Sequence, residues 1–282
     1  MRRTADGSGG GGVIDIGIVN GRLTLETGVP VSTSDQSAKT TVYFTPFKGN
    51  RIALYSGGEW DLLTFTEKSL SLSGYTASKP YDIFAYDSSG TVTLESLVWT
   101  DGTTRATALA MQDGVYVKSG DATRRYIGTI YINSSGGQTE DTELARFVWN
   151  YYNQVSKKLN VKDETSHVYN NTSPRAWNND TTIRVQLMTG VAENSLDLSL
   201  WGEIFTNNTN WRGIYITKDG TGYGPTQARA PIHDATMNNT SFGGGKTYNW
   251  GQLLGFHYFQ VVEVCGASTT FERCGISGGF DC

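Results

Sequence analysis

Short segments in which apolar and polar residues alternate, separated by glycine-containing turns, recur along most of this 282-residue chain. Between residues 13 and 132 the alternation has a period of two, which is the period of a β-strand that buries one face. The turns 56–59 and 87–90 each separate two such segments and predict hairpins, because glycine adopts the positive φ of tight turns. The pattern predicts an all-β protein whose N-terminal part is an antiparallel sandwich or barrel. The strands predicted there are residues 13–19, 22–26, 41–44, 51–55, 60–66, 82–86, 91–97, 115–118 and 126–132.

The composition agrees with a β-protein and argues against other classes. The chain has 34 glycines and 15 tyrosines, and 18% of its residues are charged, against a usual ~25%. A net charge of −4 disfavours a protein that coats nucleic acid, because such proteins need a basic surface to neutralise phosphates. No apolar run approaches the ~20 residues that span a bilayer. No apolar segment follows Met1-Arg2-Arg3, so we expect neither membrane insertion nor a secretory signal.

One segment predicts a helix. Residues 141–158 begin with acids and end with two lysines, as the helix dipole prefers. Within this segment an apolar stripe follows the 4-3-4 spacing of a coiled-coil seam, and two aromatic side chains widen it. The stripe consists of Leu144, Val148, Tyr151 and Val155, widened by Phe147 and Tyr152. Two interpretations remain open: a helix that packs on its own sheet, or a short parallel bundle on a three-fold axis.

The chain after residue 160 is strand-like again, with longer polar loops. Residues 183–189, 213–217 and 254–264 are the clear strands, and the last of these is long and largely apolar. Such a strand is typical of the centre of a β-sandwich. Residues 269–273 are predicted to be its hairpin partner, and we expect a jelly-roll-like β-sandwich in this part.

The cysteines Cys265, Cys274 and Cys282 are the only three in the chain. Without a secretory signal we expect reduced thiols, and a Cys265–Cys274 disulfide is the alternative. A zinc set formed with His257 is disfavoured, because the gaps between the four residues lack the close pairs of most zinc sites.

Catalytic motifs are incomplete. The nucleophile-elbow pattern at 275–279 has no histidine after it, which the acid-then-histidine order requires. We therefore predict neither an enzyme nor a cofactor or metal. A polysaccharide hydrolase remains an alternative, with a carboxylate pair drawn from Asp197, Glu203, Asp234 and Glu263.

A set of aromatic residues in the C-terminal half indicates a possible glycan-binding surface, because aromatic faces stack on sugar rings. The competing interpretation is that these rings fill a core or a subunit interface. The set consists of Trp201, Trp211, Tyr215, Tyr223, Trp250 and Tyr258.

Several segments of the N-terminal half carry a family resemblance. They are residues 23–32, 42–47, 50–55, 60, 80–84 and 105–109, and above all Gln112-Asp113-Gly114-Val115-Tyr116-Val117-Lys118-Ser119-Gly120, Arg124-Arg125-Tyr126-Ile127-Gly128-Thr129 and Arg146-Phe147-Val148-Trp149-Asn150-Tyr151-Tyr152-Asn153. Over roughly residues 21–160 the combination resembles a domain of tailed-bacteriophage virion proteins. The resemblance implies a structural, tail- or fibre-like appendage without a catalytic site.

These observations combine into one expectation. Residues 1–20 are an N-terminal arm, 21–138 a β-rich virion-attachment domain, 139–160 a helical trimer-axis connector, and 161–282 a C-terminal knob. The expected protein is a homotrimer in the virion, assembled in the host cytoplasm, that contacts other virion proteins of the head, portal, collar or tail through its N-terminal region. The knob would contact the host surface, and a lectin-like receptor-binding protein or a polysaccharide-degrading tailspike are the alternatives.

Overall fold

A computed structural model describes residues 14–206, 212–222 and 240–282. The predicted N-terminal arm lies mostly outside these ranges. The described residues form β-strands and one turn of 3-10 helix at Trp177–Asn179, so the all-β prediction is confirmed. The strands are β1 (Gly21–Thr24), β2 (Gln36–Lys39), β3 (Thr41–Pro46), β4 (Arg51–Ser56), β5 (Glu59–Thr64), β6 (Lys68–Ser71), β7 (Pro80–Ser88), β8 (Thr91–Val98), β9 (Leu109–Gln112), β10 (Val115–Lys118), β11 (Asp121–Tyr131), β12 (Thr139–Asp141), β13 (Ala145–Arg146), β14 (Val148–Asn150), β15 (Ser156–Asp163), β16 (His167–Tyr169), β17 (Arg175–Ala176), β18 (Arg184–Thr189), β19 (Leu196–Thr206), β20 (Arg212–Lys218), β21 (Thr240–Trp250), β22 (Gly255–Cys265) and β23 (Thr269–Asp281).

The strands pair into sheets that are almost entirely antiparallel. Three sheets belong to the N-terminal half: β1-β3-β6, the hairpin β4-β5, and a six-stranded sheet of order β8-β7-β11-β10-β9 in which β14 also pairs with β11. A seven-stranded sheet has the order β17-β22-β18-β13-β12-β2, with β20 also on β22. A five-stranded sheet has the order β15-β23-β19-β21, with β16 also on β23. Among the described strands, β13 and β18 form the parallel pair.

Both predicted hairpins are confirmed. Strands β4 and β5 pair from Arg51 and Thr64 to the turn, where Gly57 and Gly58 have φ values of 61° and 90°. Strands β7 and β8 pair in the same way around a turn in which Gly90 has a φ of 83°. Positive φ at these positions matches the right-handed twist of the paired strands.

The seven-stranded and five-stranded sheets face each other across the main hydrophobic core and form a β-sandwich. In β19 the side chains of Leu196, Leu198 and Leu200 are buried in this core, while Asp197 is exposed. The facing sheet contributes Leu187 and other apolar residues with the same alternation. For this half the sequence predicted strands at 183–189, 213–217 and 254–264, which correspond to β18, β20 and β22.

The predicted hairpin between residues 254–264 and 269–273 is wrong. Strand β22 belongs to the seven-stranded sheet and β23 to the five-stranded sheet, so the chain crosses the sandwich between them. Phe259 and Gln260 of β22 pair on one side with β18 and on the other with β20. Because both edges of β22 are occupied there, no edge is left for its neighbour in sequence.

The predicted helix at 139–160 is also wrong. This segment forms β12, β13, β14 and the start of β15. Residues 145–150 are all buried in a continuous row, with no helical period. Such continuous burial is typical of a strand covered on both faces, and β14 adds to β11 while β13 adds to β18. The apolar seam inferred for a three-fold axis therefore does not exist as a helix face.

The two halves of the described chain share packing. Phe84, Tyr126 and Trp149 from the N-terminal half belong to the same core cluster as the sandwich strands. Strand β2 also joins the seven-stranded sheet through β12. The segment boundaries expected from the sequence remain predictions. In the described ranges, no helix has the length and apolar character needed to cross a bilayer.

Candidate functional site

The aromatic residues predicted to bind glycan do not form one surface. Trp250 is buried in the sandwich core, where its ring meets that of Phe259 edge-on at 4.8 Å between centroids. Trp201 lies on the opposite face of β19 from the core leucines. Tyr215 and Tyr258 are both on the outer face of the seven-stranded sheet, but Tyr215 is buried. Trp211 and Tyr223 lie outside the described residues.

The residues predicted to form a trimer seam are divided between core and surface. Phe147 and Val148 are only 2% and 3% exposed within their own chain, so they cannot contact a second copy without rearrangement. Tyr151, Tyr152 and Val155 are half-buried. Leu144, in contrast, is 47% exposed in the bend between β12 and β13.

A buried polar cluster joins the six-stranded sheet to the sandwich. Arg105 donates from Nε to Asp82 Oδ2 at 2.7 Å and from Nη2 to Asp82 Oδ1 at 3.2 Å, and it also donates to the Gly190 carbonyl. Thr129 Oγ1 donates to the same carboxylate at 2.7 Å. Burial raises the pKa of Asp82, although the Arg105 guanidinium opposes this shift. The cluster is saturated by its own members and works as a cross-link.

A second polar cluster closes one end of the sandwich. Glu263 on β22 is completely buried, and its carboxylate contacts His167 Nε2 at 2.5 Å and Arg175 Nε at 2.6 Å. The other ring nitrogen of His167 lies 3.2 Å from the Thr165 carbonyl oxygen. Both ring nitrogens are therefore engaged within the fold, and neither is open to a substrate. Since His167 is on the five-stranded sheet, this contact links the two layers.

The other predicted acids and histidines are also engaged in internal contacts. Glu203 accepts from Arg273 Nε at 2.7 Å, and Asp197 accepts from Asn249 Nδ2 at 2.8 Å. His257 Nδ1 lies 2.7 Å from Asp219 Oδ2. Asp234 and His233 lie outside the described residues. Within the described ranges, no group of three or more His, Cys, Asp or Glu side chains is arranged to hold a metal ion.

The three cysteines are free and buried. Burial raises the pKa of each thiol, and it raises the pKa of Cys282 to about 12. A raised pKa lowers the thiolate fraction, and the thiolate is the species that reacts with alkylating reagents.

We expect the native protein to resist thiol reagents. At pH 8 a pKa of about 12 leaves about one Cys282 in ten thousand ionised, in addition to the steric protection of burial. Incubation with iodoacetamide should label no cysteine in the folded chain and all three in guanidinium, as counted by intact mass. Rapid labelling of any one cysteine without denaturant would contradict this environment.

Buried arginines that the sequence analysis did not identify hold separate segments together. Arg22 on β1 is 1% exposed and donates to the carbonyls of Pro30, Asn153 and Cys282 at 3.0, 2.6 and 2.8 Å. Arg125 on β11 is equally buried and donates to the carbonyls of two other segments, at Ile16 and Ala53. Burial lowers the pKa of both guanidinium groups. The alternation of residues 22–26 gave no signal for Arg22, because Leu23 and Leu25 occupy the apolar phase there.

One cavity brings charged, amide and aromatic side chains together. It has a volume of about 250 Å³ and lies on the outer face of the seven-stranded sheet. Gln186 of β18 stands opposite Tyr258 of β22, and Arg184 lies two residues along the same face. Strand β12 contributes Glu140 from the side. The lining residues are Ser78, Tyr131, Asn133, Ser134, Glu140, Phe147, Arg184, Gln186, Phe256 and Tyr258.

The charged groups of this cavity are unusual in being unpaired. In the described part of the chain, the partly buried side chains of Glu140 and Arg184 form no ion pair and no hydrogen bond with another residue. The Arg184 guanidinium lies over the Tyr258 ring at 4.6 Å from its centroid. Partial burial raises the pKa of Glu140. Of the residues predicted from sequence, Tyr258 is the one glycan candidate that lines this cavity.

Comparisons with known proteins leave the family open. No family model matches the chain, and no curated protein matches it. Similar solved structures include the insecticidal delta-endotoxin Cry8Ea1 from Bacillus thuringiensis (9% identity, TM-score 0.24, 94% of this chain and 52% of that chain). Two structures of infectious bursal disease virus are also similar: the Gx strain (12% identity, TM-score 0.28, 90% of this chain and 74% of that chain) and the T13 viral particle (9% identity, TM-score 0.29, 87% and 73%). The chain spans about half the length of the endotoxin. TM-scores of this size do not establish a shared fold.

Proposed function

We propose that this chain is a structural protein of a tailed-bacteriophage virion, a fibre- or spike-like appendage that works as a homotrimer. Its N-terminal region attaches to other virion proteins, and its C-terminal β-sandwich, of jelly-roll type, projects outward toward the host surface. The site of action is the virion, after assembly in the host cytoplasm.

The observation that carries the proposal is the role of the residues on which the family resemblance rests. Asp82, Arg105 and Thr129 belong to those segments and form the buried cross-link between the six-stranded sheet and the sandwich. Arg125 joins three segments, and Asn150 joins β14 to β1 by bonding both the N–H and the carbonyl of Leu23. These conspicuous polar residues are used to hold the fold together, which supports a scaffold role rather than a catalytic one.

The oligomeric state tests this proposal directly. Light scattering of the purified full chain, coupled to gel filtration, should give the mass of three copies. A mass of one copy at micromolar concentration would contradict the trimer.

Variants at two positions separate association from folding. Leu144→Glu places a charge on an exposed apolar side chain and should weaken self-association at least about tenfold, while the circular dichroism spectrum stays native. Val168→Glu is the matched control, because Val168 is 60% exposed on β16. Equal mass for the Leu144 variant and the unchanged protein would exclude this bend from the interface. Val148→Glu is not informative here, since Val148 is buried and its replacement should unfold the chain.

Virion membership needs a separate measurement. An antiserum raised against the purified chain, applied to particles of the phage that encodes it, should decorate a fixed position in electron micrographs. Particles that carry no label, although the antiserum recognises the free chain, would contradict the proposed location.

A further inference from the structure

The cavity between β12, β18 and β22 carries a half-buried acid and a base that the fold leaves unpaired. Polar side chains inside a protein normally find partners, because desolvating a charge without compensation is costly. The clusters around Asp82 and Glu263 follow that rule, with every carboxylate oxygen bonded. Glu140 and Arg184 are only partly buried and line the same cavity without a protein partner, so a ligand can take the place of the solvent around both charges.

The size of the cavity restricts that partner. Pockets for drug-sized ligands have volumes of roughly 300–1,000 Å³, whereas this cavity has about 250 Å³. It therefore accommodates one small ring rather than a chain of rings. The open side faces the solvent on the outer face of the sheet, so a ring at the end of a longer molecule can enter while the remainder stays outside.

The chemistry of the lining restricts the partner further. Glu140 offers acceptor oxygens, Arg184 offers donors, and the Gln186 amide offers both. Phe256 and Tyr131 are stacked on each other at 4.1 Å between centroids and supply an apolar wall beside these groups. A compact ring with hydroxyl groups around its edge and C–H groups on its faces satisfies both kinds of surface.

We propose that this cavity binds one neutral sugar residue, a hexose or N-acetylhexosamine at the end of a glycan. The carboxylate of Glu140 accepts from ring hydroxyls, the guanidinium of Arg184 donates to ring oxygens, and Phe256 contacts the C–H face. Because the acid and the base offset each other, the ligand carries no net charge. A phosphate or a nucleotide would be repelled by Glu140, and no second cation lines the cavity among the described residues.

The sugar site is an addition to the proposed virion role, and either proposal can be wrong without affecting the other. Of the aromatic residues that the sequence analysis proposed for glycan binding, only Tyr258 lines this cavity among the described residues. Tyr258 holds the Arg184 guanidinium over its ring, so this tyrosine acts by positioning the donor.

Partial burial of the Glu140 carboxylate destabilises the free protein at neutral pH, which is consistent with a role for this carboxylate in binding. Burial raises its folded-state pKa, so the folded chain holds this proton to a higher pH than the unfolded chain does. The contribution of Glu140 to stability is therefore fully present below its unfolded pKa of about 4.3 and is lost as the pH rises through the raised folded pKa. An amide in its place should therefore make the free protein more stable at neutral pH, with a difference in Tm that shrinks toward pH 4.

Saturation-transfer NMR on the full chain tests the proposal. The probes are free glucose, galactose, mannose and N-acetylglucosamine, each titrated separately, with glycine as a charged comparison and inorganic phosphate, which has no C–H protons, added as a competitor of the sugar signal. We expect at least one neutral sugar to bind with a Kd in the millimolar range (on the order of 1 mM). Glu140→Gln and Arg184→Gln should each weaken that binding at least tenfold, whereas Arg51→Gln, at an exposed position on β4, should leave it unchanged.

The combination of sugar binding and Tm distinguishes loss of the site from loss of the fold. A Glu140→Gln variant that loses sugar binding while its Tm at pH 7 rises would support the site, because misfolding is then excluded. Absence of saturation transfer from all four sugars would overturn the proposal. So would binding that neither cavity variant weakens, or a preference for glycine or phosphate over every sugar.

Discussion

Arg22→Ala is expected to lower the free energy of unfolding by about 3 kcal/mol, because the Pro30 and Asn153 carbonyls lose their donor and the Cys282 main-chain oxygen keeps only the Val155 N–H. Each buried acceptor left without a partner costs about 1–3 kcal/mol, and relief of the buried charge offsets part of the sum. The three carbonyls belong to Pro30, Asn153 and Cys282, which are far apart in sequence. Urea unfolding followed by tryptophan fluorescence measures the change.

Two further variants identify the cause of that loss. Arg51→Ala removes an arginine that is exposed on β4, and should change the stability by less than about 0.5 kcal/mol. Arg22→Met keeps the packing of the aliphatic stem but removes the donors, so it should retain most of the defect. A near-native Arg22→Met variant would show that packing of the stem, and not hydrogen bonding, stabilises these segments.

Local sequence signals predicted the parts of this fold that depend on local geometry. The turns at Gly57-Gly58 and Ser89-Gly90 specify hairpins by themselves, because a glycine at positive φ and the flanking alternation are both visible in the sequence. Three sandwich strands, β18, β20 and β22, were likewise predicted, whereas β19 and β21 were not. Local signals do not show which strands pair when the two strands are far apart in the sequence.

The incorrect helix shows this limit in particular residues. Leu144, Val148, Tyr151 and Val155 have helical spacing, but the same segment is rich in aromatic and β-branched residues that pack well on a pleated surface. Strand β14 is stabilised by β11, and β13 by β18. Tertiary pairing therefore overrode a local helical pattern that the sequence displayed clearly.

The candidate sugar site was hidden for a related reason. Gln186 and Tyr258 share a face only because β18 and β22 pair in the observed register, and Glu140 joins them from a strand that the sequence analysis placed in a helix. The sequence predicted residues 183–189 as a strand. It did not predict that Arg184 and Gln186 converge with Glu140, because that convergence depends on long-range pairing.

Gly128→Ala should be among the most destabilising single-methyl changes in the chain. A Cβ at this position would lie 2.3 Å from the Trp149 carbonyl oxygen and 2.8 Å from Leu23 Cδ1. The first contact is with the backbone of β14, which pairs with β11 at Asn150 and Gly128. Strand β14 must therefore move away from β11. Added volume in a tight core costs about 1–3 kcal/mol, and we expect the upper end of that range in urea unfolding.

The matched control for this variant is Gly251→Ala, because Gly251 is exposed and nothing lies within 4 Å of its added Cβ. That change should be neutral or stabilise by about 0.5 kcal/mol, since it only reduces the freedom of the unfolded chain. Combining Gly128→Ala with Leu23→Ala removes the side-chain contact but keeps the backbone contact. If the double variant were more stable than Gly128→Ala alone, the leucine would be the obstacle, and the close approach of β11 and β14 would not be what requires glycine there.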